Sequence, residues 1–174
     1  VGEAGARFLF VLENFGSTVE EALRDVNLER VVLVTPGDLL GLKGMIVNFV
    51  SRHVKKGVKP FSLPKTVAFR SILSEGRARR LDPVTVTPDD NAFLQYSGGT
   101  TGVAKGAVLL HRNVVANVLQ CEAWMRPFFG ERNDHVMVAA LPLYHIFGLT
   151  VCTMLVTRIG GCQLLITNPR DIAG

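Results

Sequence analysis

One run of eleven residues, YSGGTTGVAKG at positions 96–106, carries the residue types best suited to chemistry. Its four glycines permit positive φ angles and let a ligand approach the backbone closely. Successive backbone N–H groups in such a turn form a nest that binds anions. Hydroxyl groups and one ammonium group add donors, so the run predicts a loop that holds a triphosphate. The residues expected to contact it are Ser97, Gly98, Gly99, Thr100, Thr101, Gly102 and Lys105.

The common phosphate-binding motifs do not fit this run. The P-loop of nucleoside triphosphatases ends in Gly-Lys-Ser/Thr, whereas Lys105 lies between Ala104 and Gly106. The dinucleotide fingerprint GxGxxG and the kinase glycine-rich loop also fail. The plain structural alternative is a hairpin loop with ordinary glycine and threonine turn chemistry. The density of glycines and hydroxyls, together with the Lys-Gly ending, favours phosphate binding.

The elements around this loop predict an α/β arrangement. Residues 92–96 and 107–110 read as strands on either side of a loop at 97–106. A helix follows His111-Arg112-Asn113, with Val114, Val118, Cys121 and Met125 on one face. Residues 136–141 and 162–166 are further predicted strands, separated by a buried helix at 146–156 that Gly160-Gly161 ends.

The first half of the chain predicts a strand–helix–strand unit with a parallel sheet. Residues 7–12 and 31–34 are the strands. The helix between them is expected at 18–26, with Ser17 and Glu20 as a capping box. A second helix is expected from Leu39 to Val54, and a third over residues 65–74.

The segment from Leu39 to Lys59 combines an apolar stripe with a cluster of basic residues at its end. That pattern is typical of a helix that lies on an anionic membrane. The interpretation we favour here is a helix that faces the core and has a solvated basic end, since basic charge suits a helix C-terminus.

Composition excludes several classes of protein. Of 174 residues 48% are hydrophobic and 20% are charged, which is enough for a core and unlike a disordered chain. Three cysteines make neither a disulfide framework nor a metal pair, which favours a reducing compartment. The net charge of +4 is modest, and no aromatic residues interleave with the Arg77–Arg80 run, so we expect no nucleic-acid partner.

Two further features concern membranes and the ends of the chain. Residues 136–157 contain no Asp, Glu, Lys or Arg, but Pro142 and Gly148 favour a strand and a buried helix over a bilayer span. The chain begins with Val and contains no signal-peptide pattern, and residues 168–174 resemble the start of a helix. We therefore expect an internal piece of a longer protein.

The run at 96–106 resembles, at every position, the phosphate-loop signature of the adenylate-forming superfamily, which includes acyl-CoA synthetases, peptide-synthetase adenylation domains and luciferases. His111-Arg112-Asn113 and the motif LPLYHIFGL at 141–149 are similar to elements of that superfamily. The longer stretches LQYSGGTTGVAKGA, LPLYHIFGLT and LLITNPRDI are similar to bacterial long-chain fatty-acid–CoA ligases. The resemblance spans residues 5–174 and is strongest from residue 91 onward.

The resemblance implies a reaction in two steps, in which ATP and a fatty acid form an acyl-adenylate and coenzyme A (CoA) then displaces AMP. It implies catalytic roles for Thr101, Lys105 and His145, a Mg²⁺ contact for Thr100, and a substrate contact for Tyr144 and His145. The alternative for His145 is a residue that caps the helix beginning near Ile146. In the superfamily the adenine pocket, the acidic Mg²⁺ ligand, the ribose-binding Asp and the catalytic Lys all follow this region.

The resulting expectation is an α/β fragment of the large N-terminal domain of an adenylate-forming enzyme, a mostly parallel sheet with flanking helices. Residues 1–75 form a βαβ piece, 76–91 a linker, and 92–174 the phosphate-loop piece. Two alternatives stay open: activation of an aryl, short-chain or amino acid, and a binding fragment without catalysis. The expected location is cytoplasmic, and peripheral contact with the inner face of the membrane and homo-oligomerisation are left open.

Overall fold

The computed structural model describes residues 4–97, 105–129 and 134–166. The chain divides into two compact units, Val1–Pro83 and Val84–Gly174. This division falls inside the stretch 76–91 that the sequence indicates as a linker. Each unit has its own strands and helices.

The first unit contains a parallel sheet of three strands in the order β1 (Phe8–Leu12), β2 (Arg30–Val34) and β3 (Thr66–Ala68). Phe8 is paired with Arg30, and Val31 is paired with Thr66. The prediction of a strand–helix–strand unit with parallel strands is therefore confirmed. At the start of the sheet, Arg7 Nε donates to Glu29 Oε1 at 2.5 Å. This hydrogen bond lowers the pKa of the Glu29 carboxyl.

The core of the first unit forms around the central strand. Val31 and Val32 are each 1% exposed, as a strand covered on both faces requires. Val31 of this strand forms a buried cluster with Val11, Leu23 and Leu28. Alternate residues of β1 are less buried, and Phe8, Phe10 and Leu12 are exposed.

Helix α1 runs from Gly16 to Ala22 and follows a short 3₁₀ turn at Glu13–Phe15. The predicted capping box was wrong, because Ser17 lies inside the helix and Phe15 is at the N-cap without a side-chain hydrogen bond. Glu20 instead accepts a hydrogen bond from the backbone N–H of Ser62, at 3.2 Å. The helix ends before residue 26 because Leu23 closes it, and residues 23–25 form a turn.

The third predicted helix, over residues 65–74, was wrong in its first part. Residues 66–68 are strand β3, and helix α3 runs from Phe69 to Arg77. Thr66 and Val67 are β-branched, which favours a strand, and β3 completes the parallel sheet beside β2. Three residues are too few for a periodic signal, so the sequence did not separate the strand from the helix.

Helix α2 (Gly41–Phe49) continues as a π-helical turn over Val50–Val54. The predicted helix is present, but the expectation that its apolar stripe faces the core was wrong. Leu42, Met45, Ile46 and Phe49 are exposed, whereas Gly44 is buried. The cause lies on the inner face, where the backbone of Gly37 approaches Gly44 so closely that no Cβ would fit at either residue.

The second unit contains two strand pairs. Strands β4 (Asn91–Ser97) and β5 (Lys105–Leu110) are antiparallel, and strands β6 (Val136–Ala139) and β7 (Cys162–Leu165) are parallel. Of the seven strands in the described residues, five therefore lie in parallel pairings. With the helices beside them, this agrees with the expected fold class.

Helix α4 (His111–Phe129) follows β5 directly and packs against a second helix in the same unit. The predicted apolar face is confirmed, because Val114 and Val118 are buried and Cys121 and Met125 are half-buried. The second helix is π-helical over Gly148–Leu155 and ends as α5 (Val156–Arg158). Its inner face is buried, and Leu155 has no exposed surface. Across the described part of the chain, no helix is both long enough and apolar enough to cross a bilayer.

Two glycines end this helix, as predicted. Gly160 has a φ of 71°, and its N–H donates to the Thr157 carbonyl at 3.3 Å. The N–H of Gly161 donates to the Val156 carbonyl at 2.9 Å. The two bonds form a Schellman motif, for which glycine is the preferred residue at the left-handed position. Strand β7 then begins at Cys162, whose N–H donates to the carbonyl of His135 at 2.8 Å.

Glu122 joins α4 to α5 and supports a prediction about pH. A hydrogen bond from Arg158 Nε lowers the pKa of the Glu122 carboxyl. Partial burial opposes this effect, and the charges of Arg158 and Arg126 lower the pKa further.

A carboxyl whose pKa is lower in the folded state stabilises the fold at pH values above its unfolded pKa, 4.5. That stability is lost as the pH falls through the folded value. Glu122→Gln should therefore flatten the pH dependence of unfolding in this acidic range. Urea unfolding of both proteins from pH 6 to pH 3 checks it; equal slopes would contradict it.

Candidate functional site

Strands β4 and β5 form an antiparallel hairpin that carries the predicted phosphate loop. Ser97 is paired with Lys105, and Tyr96 is paired with Gly106. The predicted loop at 97–106 was therefore too long, because Ser97, Lys105 and Gly106 belong to the strands. Lys105 is exposed at the first position of β5. The remaining predicted phosphate-binding residues lie outside the described residues: Gly98, Gly99, Thr100, Thr101 and Gly102.

Gly106 shapes the hairpin next to Lys105. A Cβ at this position would lie 3.2 Å from the ring of Tyr96 on the opposite strand. Glycine thus lets the Tyr96 ring rest on the backbone of β5 beside the loop.

The other end of the hairpin is fixed by polar contacts. The backbone N–H of Thr87 donates to Asp90 Oδ2 at 2.6 Å, and the Thr87 hydroxyl donates to the same oxygen at 3.0 Å. These hydrogen bonds lower the pKa of the Asp90 carboxyl. The N–H of His111 donates to the Asp90 carbonyl at 3.0 Å. The start of β4 is thereby tied to the start of α4, which leaves the end that carries Ser97 and Lys105 for the loop.

Tyr144 and His145 lie in the turn between β6 and the π-helix, and both are exposed. The backbone N–H of Phe147 donates to His145 Nδ1 at 3.3 Å, and the N–H of Leu149 donates to the His145 carbonyl at 2.9 Å. The imidazole thus caps the first turn of the helix, as the structural alternative for His145 describes. Since Nδ1 accepts, the neutral ring carries its proton on Nε2. Capping therefore leaves a ring N–H that can donate to a ligand.

Gln95 connects the hairpin to this turn. Its Nε2 donates to the backbone carbonyl of Tyr144 at 3.0 Å, so the end of β4 and the Tyr144–His145 turn lie side by side. The structure thus brings the base of the predicted phosphate loop to the predicted acyl-site residues. Sequence reasoning missed Gln95, because a half-buried polar residue alternating with Leu94 and Tyr96 in a strand gives no functional signal.

Gly148 allows the helix to begin directly against this turn. A Cβ on Gly148 would lie 2.5 Å from the carbonyl oxygen of Pro142, which is shorter than real contacts of this kind. The N–H of His145 donates to the same carbonyl at 2.9 Å. The backbone of the LPLYHIFG motif is therefore folded tightly on itself.

An apolar cleft of about 290 Å³ lies where the parallel strands β6 and β7 end. Ligands of open α/β sheets bind at the carboxyl ends of their strands. Its lining includes Leu141, Pro142 and Leu143, which belong to the same motif as His145, and Ile166 beyond β7. An apolar group could bind in this cleft within a few residues of the imidazole.

Within residues 4–97, 105–129 and 134–166, no three His, Cys, Asp or Glu side chains are grouped to hold a metal ion. The candidate metal-ligand atoms of the predicted loop are hydroxyl oxygens. Mg²⁺ prefers oxygen ligands, keeps several waters and commonly binds through one or two protein ligands plus substrate phosphates. The donor chemistry of the loop fits that requirement.

A protein-family model described as the AMP-binding enzyme matches residues 1–173. The chain belongs to the AMP-binding enzyme family. The family model agrees with the resemblance seen in the sequence at 96–106 and 141–149.

Among curated relatives, a protein of Haemophilus influenzae named long-chain-fatty-acid–CoA ligase is 45% identical to this family member over 174 residues. The alignment covers 99% of this chain and 31% of the relative. The chain thus spans about a third of the length of the curated relatives it matches. Identity at this level extends well beyond the phosphate-loop motif into both units.

Solved structures share the fold. The red-emitting luciferase of Phrixothrix hirtus gives a TM-score of 0.60 at 18% identity and covers 93% of this chain and 27% of the luciferase. ATP-bound MatB of Rhodopseudomonas palustris gives a TM-score of 0.51 at 24% identity, with 87% of this chain and 27% of MatB covered. At these identities the likeness supports the fold alone.

Proposed function

We propose that the full-length protein is a long-chain fatty-acid–CoA ligase, which activates a fatty acid with ATP and transfers the acyl group to CoA. The structural observation that carries this proposal is the hydrogen bond from Gln95 to the Tyr144 carbonyl. It joins the base of the phosphate-loop hairpin to the turn bearing His145. A triphosphate and a carboxylate must meet in this reaction, and the hydrogen bond brings their predicted binding groups together.

The identity to the Haemophilus influenzae ligase supports the choice of substrate class. The alignment covers 99% of the chain, the apolar motif at 141–149 included. The cleft lined by Leu141, Pro142 and Leu143 is apolar and open, as an alkyl chain requires.

In the first step, a carboxylate oxygen of the fatty acid attacks the α-phosphorus of ATP. A new P–O bond forms between this oxygen and the α-phosphorus. The bond between the α-phosphorus and the oxygen that bridges to the β-phosphate breaks, and pyrophosphate leaves with that electron pair. In the second step the CoA thiol loses its proton and its sulfur attacks the acyl carbonyl carbon. A C–S bond forms, the acyl C–O bond to AMP breaks, and AMP leaves with that electron pair. The first step places growing negative charge on the pyrophosphate, so donors fixed in advance there lower the barrier most.

The residues of this chain have distinct roles in that step. Lys105, exposed at the start of β5, supplies a positive charge to the departing pyrophosphate. Ser97, Thr101 and the backbone N–H groups of Gly98, Gly99 and Gly102 donate hydrogen bonds to its oxygens. His145, with its proton on Nε2, donates to the substrate carboxylate or to the adenylate, and Tyr144 borders the acyl group.

Mg²⁺ is the metal that this chemistry calls for, and the Thr100 hydroxyl is the protein ligand we assign to it. When bound, the ion neutralises phosphate charge. The other loop donors act in the same direction through hydrogen bonds.

The second candidate is activation of another carboxylic acid, such as an aryl, short-chain or amino acid. The apolar cleft favours the fatty acid, because a charged amino group would lose its hydration there. The test is ATP–pyrophosphate exchange by the full-length protein with equal concentrations of palmitate, acetate, 4-coumarate and phenylalanine. We expect palmitate to drive the fastest exchange, at least tenfold above the others.

The control for this assay is the same reaction with 1-hexadecanol, which has the same alkyl chain length but no carboxylate and should drive no exchange. Fastest exchange with any other acid would assign the chain to that substrate class. No exchange with any acid would favour a protein that binds without catalysis. Contact with a membrane, location in the cytoplasm and homo-oligomerisation are further proposals, and the exposed apolar face of helix α2 supports the first of them.

A further inference from the structure

Helix α2 presents a continuous apolar face away from its own unit. Four residues at helical spacing are largely exposed: Leu42 (84%), Met45 (65%), Ile46 (66%) and Phe49 (60%). At about 100° per residue these positions lie on one side of the helix. Gly44 and Asn48, which lie on the opposite side, are buried and half-buried respectively.

The inner face of α2 fixes this orientation. The carbonyl oxygen of Gly37 lies where a Cβ of Gly44 would be, 1.9 Å from that position. Asn48 Oδ1 accepts from the N–H of Gly37 at 2.8 Å, and Asn48 Nδ2 donates to the Thr35 hydroxyl at 2.9 Å. These contacts require glycine and asparagine inward, so the apolar residues are held outward.

The surrounding sequence is strongly cationic. Residues 39–74 contain no Asp or Glu and seven basic residues, Lys43, Arg52, Lys55, Lys56, Lys59, Lys65 and Arg70. Arg52 pairs with the buried carboxylate of Glu13, and Lys65 donates to Asn27 and Leu28. The other five side chains are exposed.

A polar cleft of about 400 Å³ adjoins the N-terminal end of the apolar face. Leu39 and Gly41 line it from the α2 side, and Arg70, Ser74 and Arg77 line it from α3. Positions 70 and 77 lie two turns apart on one side of α3. Asp38 also lines the cleft, but its two oxygens accept hydrogen bonds from the N–H and the hydroxyl of Thr35, each at 2.7 Å. Two arginines and one serine therefore line the cleft, together with one carboxylate that is already hydrogen-bonded.

We propose that the outward face of α2 (Leu42, Met45, Ile46 and Phe49) and the cleft of Arg70 and Arg77 form a docking surface for an anionic phospholipid bilayer. The apolar side chains enter the boundary between headgroups and acyl chains. Guanidinium groups in the cleft bind a lipid phosphate, since planar forks of N–H donors match phosphate oxygens. The exposed lysines that follow α2 add attraction to the anionic surface.

A bilayer fits these observations better than a protein partner. An interfacial helix combines a large apolar face with Lys and Arg around it, which is the arrangement here. The cations lie at both ends of the apolar face, so they would contact the surface together. The inference does not depend on the reaction proposed above.

Flotation of the full-length protein with vesicles tests the surface. Leu42→Glu and Ile46→Glu should each weaken binding to phosphatidylglycerol-containing vesicles by about tenfold or more, because burial of one such side chain is lost and a charge is added. The matched control is Leu81→Glu, in the same unit and 90% exposed, which should bind as the wild type does.

The charge component is tested with the double variant Arg70→Gln/Arg77→Gln. It should lose about fivefold in affinity per cation for anionic vesicles and bind phosphatidylcholine vesicles as the wild type does. Inorganic phosphate at millimolar concentration should not compete, since the proposal requires the bilayer.

Unchanged flotation of Leu42→Glu and Ile46→Glu would overturn the proposal. If the melting temperature of these two variants also fell, another part of the protein would cover the face. ATP–pyrophosphate exchange with an acid supplied in soluble form should be the same in all variants, so a failed docking surface and a failed assignment of function are distinguished.

Discussion

Lys105→Ala should slow ATP–pyrophosphate exchange by about a hundredfold in the full-length protein. Removing one fixed donor to developing charge typically raises the barrier by about 3 kcal/mol. Lys105 is exposed at the start of β5, so the free energy of unfolding should change little. Thr101→Ala should act in the same direction.

The second half-reaction separates this role from a general defect. Transfer of the acyl group from pre-formed acyl-adenylate to CoA handles no triphosphate, so Lys105→Ala should largely preserve its rate. Arg80→Ala, which removes an exposed cation from the segment between α3 and β4, is the matched control and should change neither half-reaction. If Lys105→Ala slowed both half-reactions equally or unfolded the protein, the hairpin would have a structural role only.

Gly148→Ala should destabilise the protein by about 1–3 kcal/mol, the usual cost of adding a group where none fits. The new Cβ would lie 2.5 Å from the Pro142 carbonyl oxygen, and backbone atoms cannot move aside as the end of a side chain can. The turn with Tyr144 and His145 must then shift away from the helix. Adenylation should therefore slow as well, which urea unfolding and pyrophosphate exchange measure together.

The matched control for this change is Gly76→Ala. Gly76 lies in α3, and a Cβ there would meet nothing within 4 Å. Alanine is favoured over glycine in a helix, so this variant should be at least as stable as the wild type. Equal stability of the two variants would show that the Gly148 contact does not constrain the turn.

Elements whose burial imposes a clear residue pattern could be predicted from the sequence, and an element that only strand pairing defines could not. The buried strand at Val31–Val34 and the face of α4 at Val114 and Val118 each follow a pattern that burial imposes. Strand β3 has only three residues, and pairing with β2 defines it. The Ser17–Glu20 spacing matched a capping box, but Glu20 forms a tertiary hydrogen bond to Ser62 instead.

The candidate site also has parts that could be predicted from the sequence and parts that could not. The loop motif at 96–106 could be proposed from residue types, and the turn at Tyr144–His145 only from the resemblance to the superfamily. Their adjacency could not, because it depends on one hydrogen bond from Gln95 across 49 residues of sequence. The sequence pattern also did not predict which way the apolar face of α2 points, since an apolar stripe predicts that such a face exists but not what covers it. Gly44 and Asn48 decide that direction through contacts with Gly37, a residue on a preceding loop.

The residues on the inward side of α2 and those on its outward side are under different selective pressures. Gly37, Gly44 and Asn48 leave little freedom, because any larger group at the two glycines meets backbone atoms. Leu42, Met45, Ile46 and Phe49 touch little of their own unit, so exchange among apolar residue types there would leave the fold intact. Evolution could therefore adjust what this helix binds, and how strongly, one substitution at a time, without passing through variants that fold poorly.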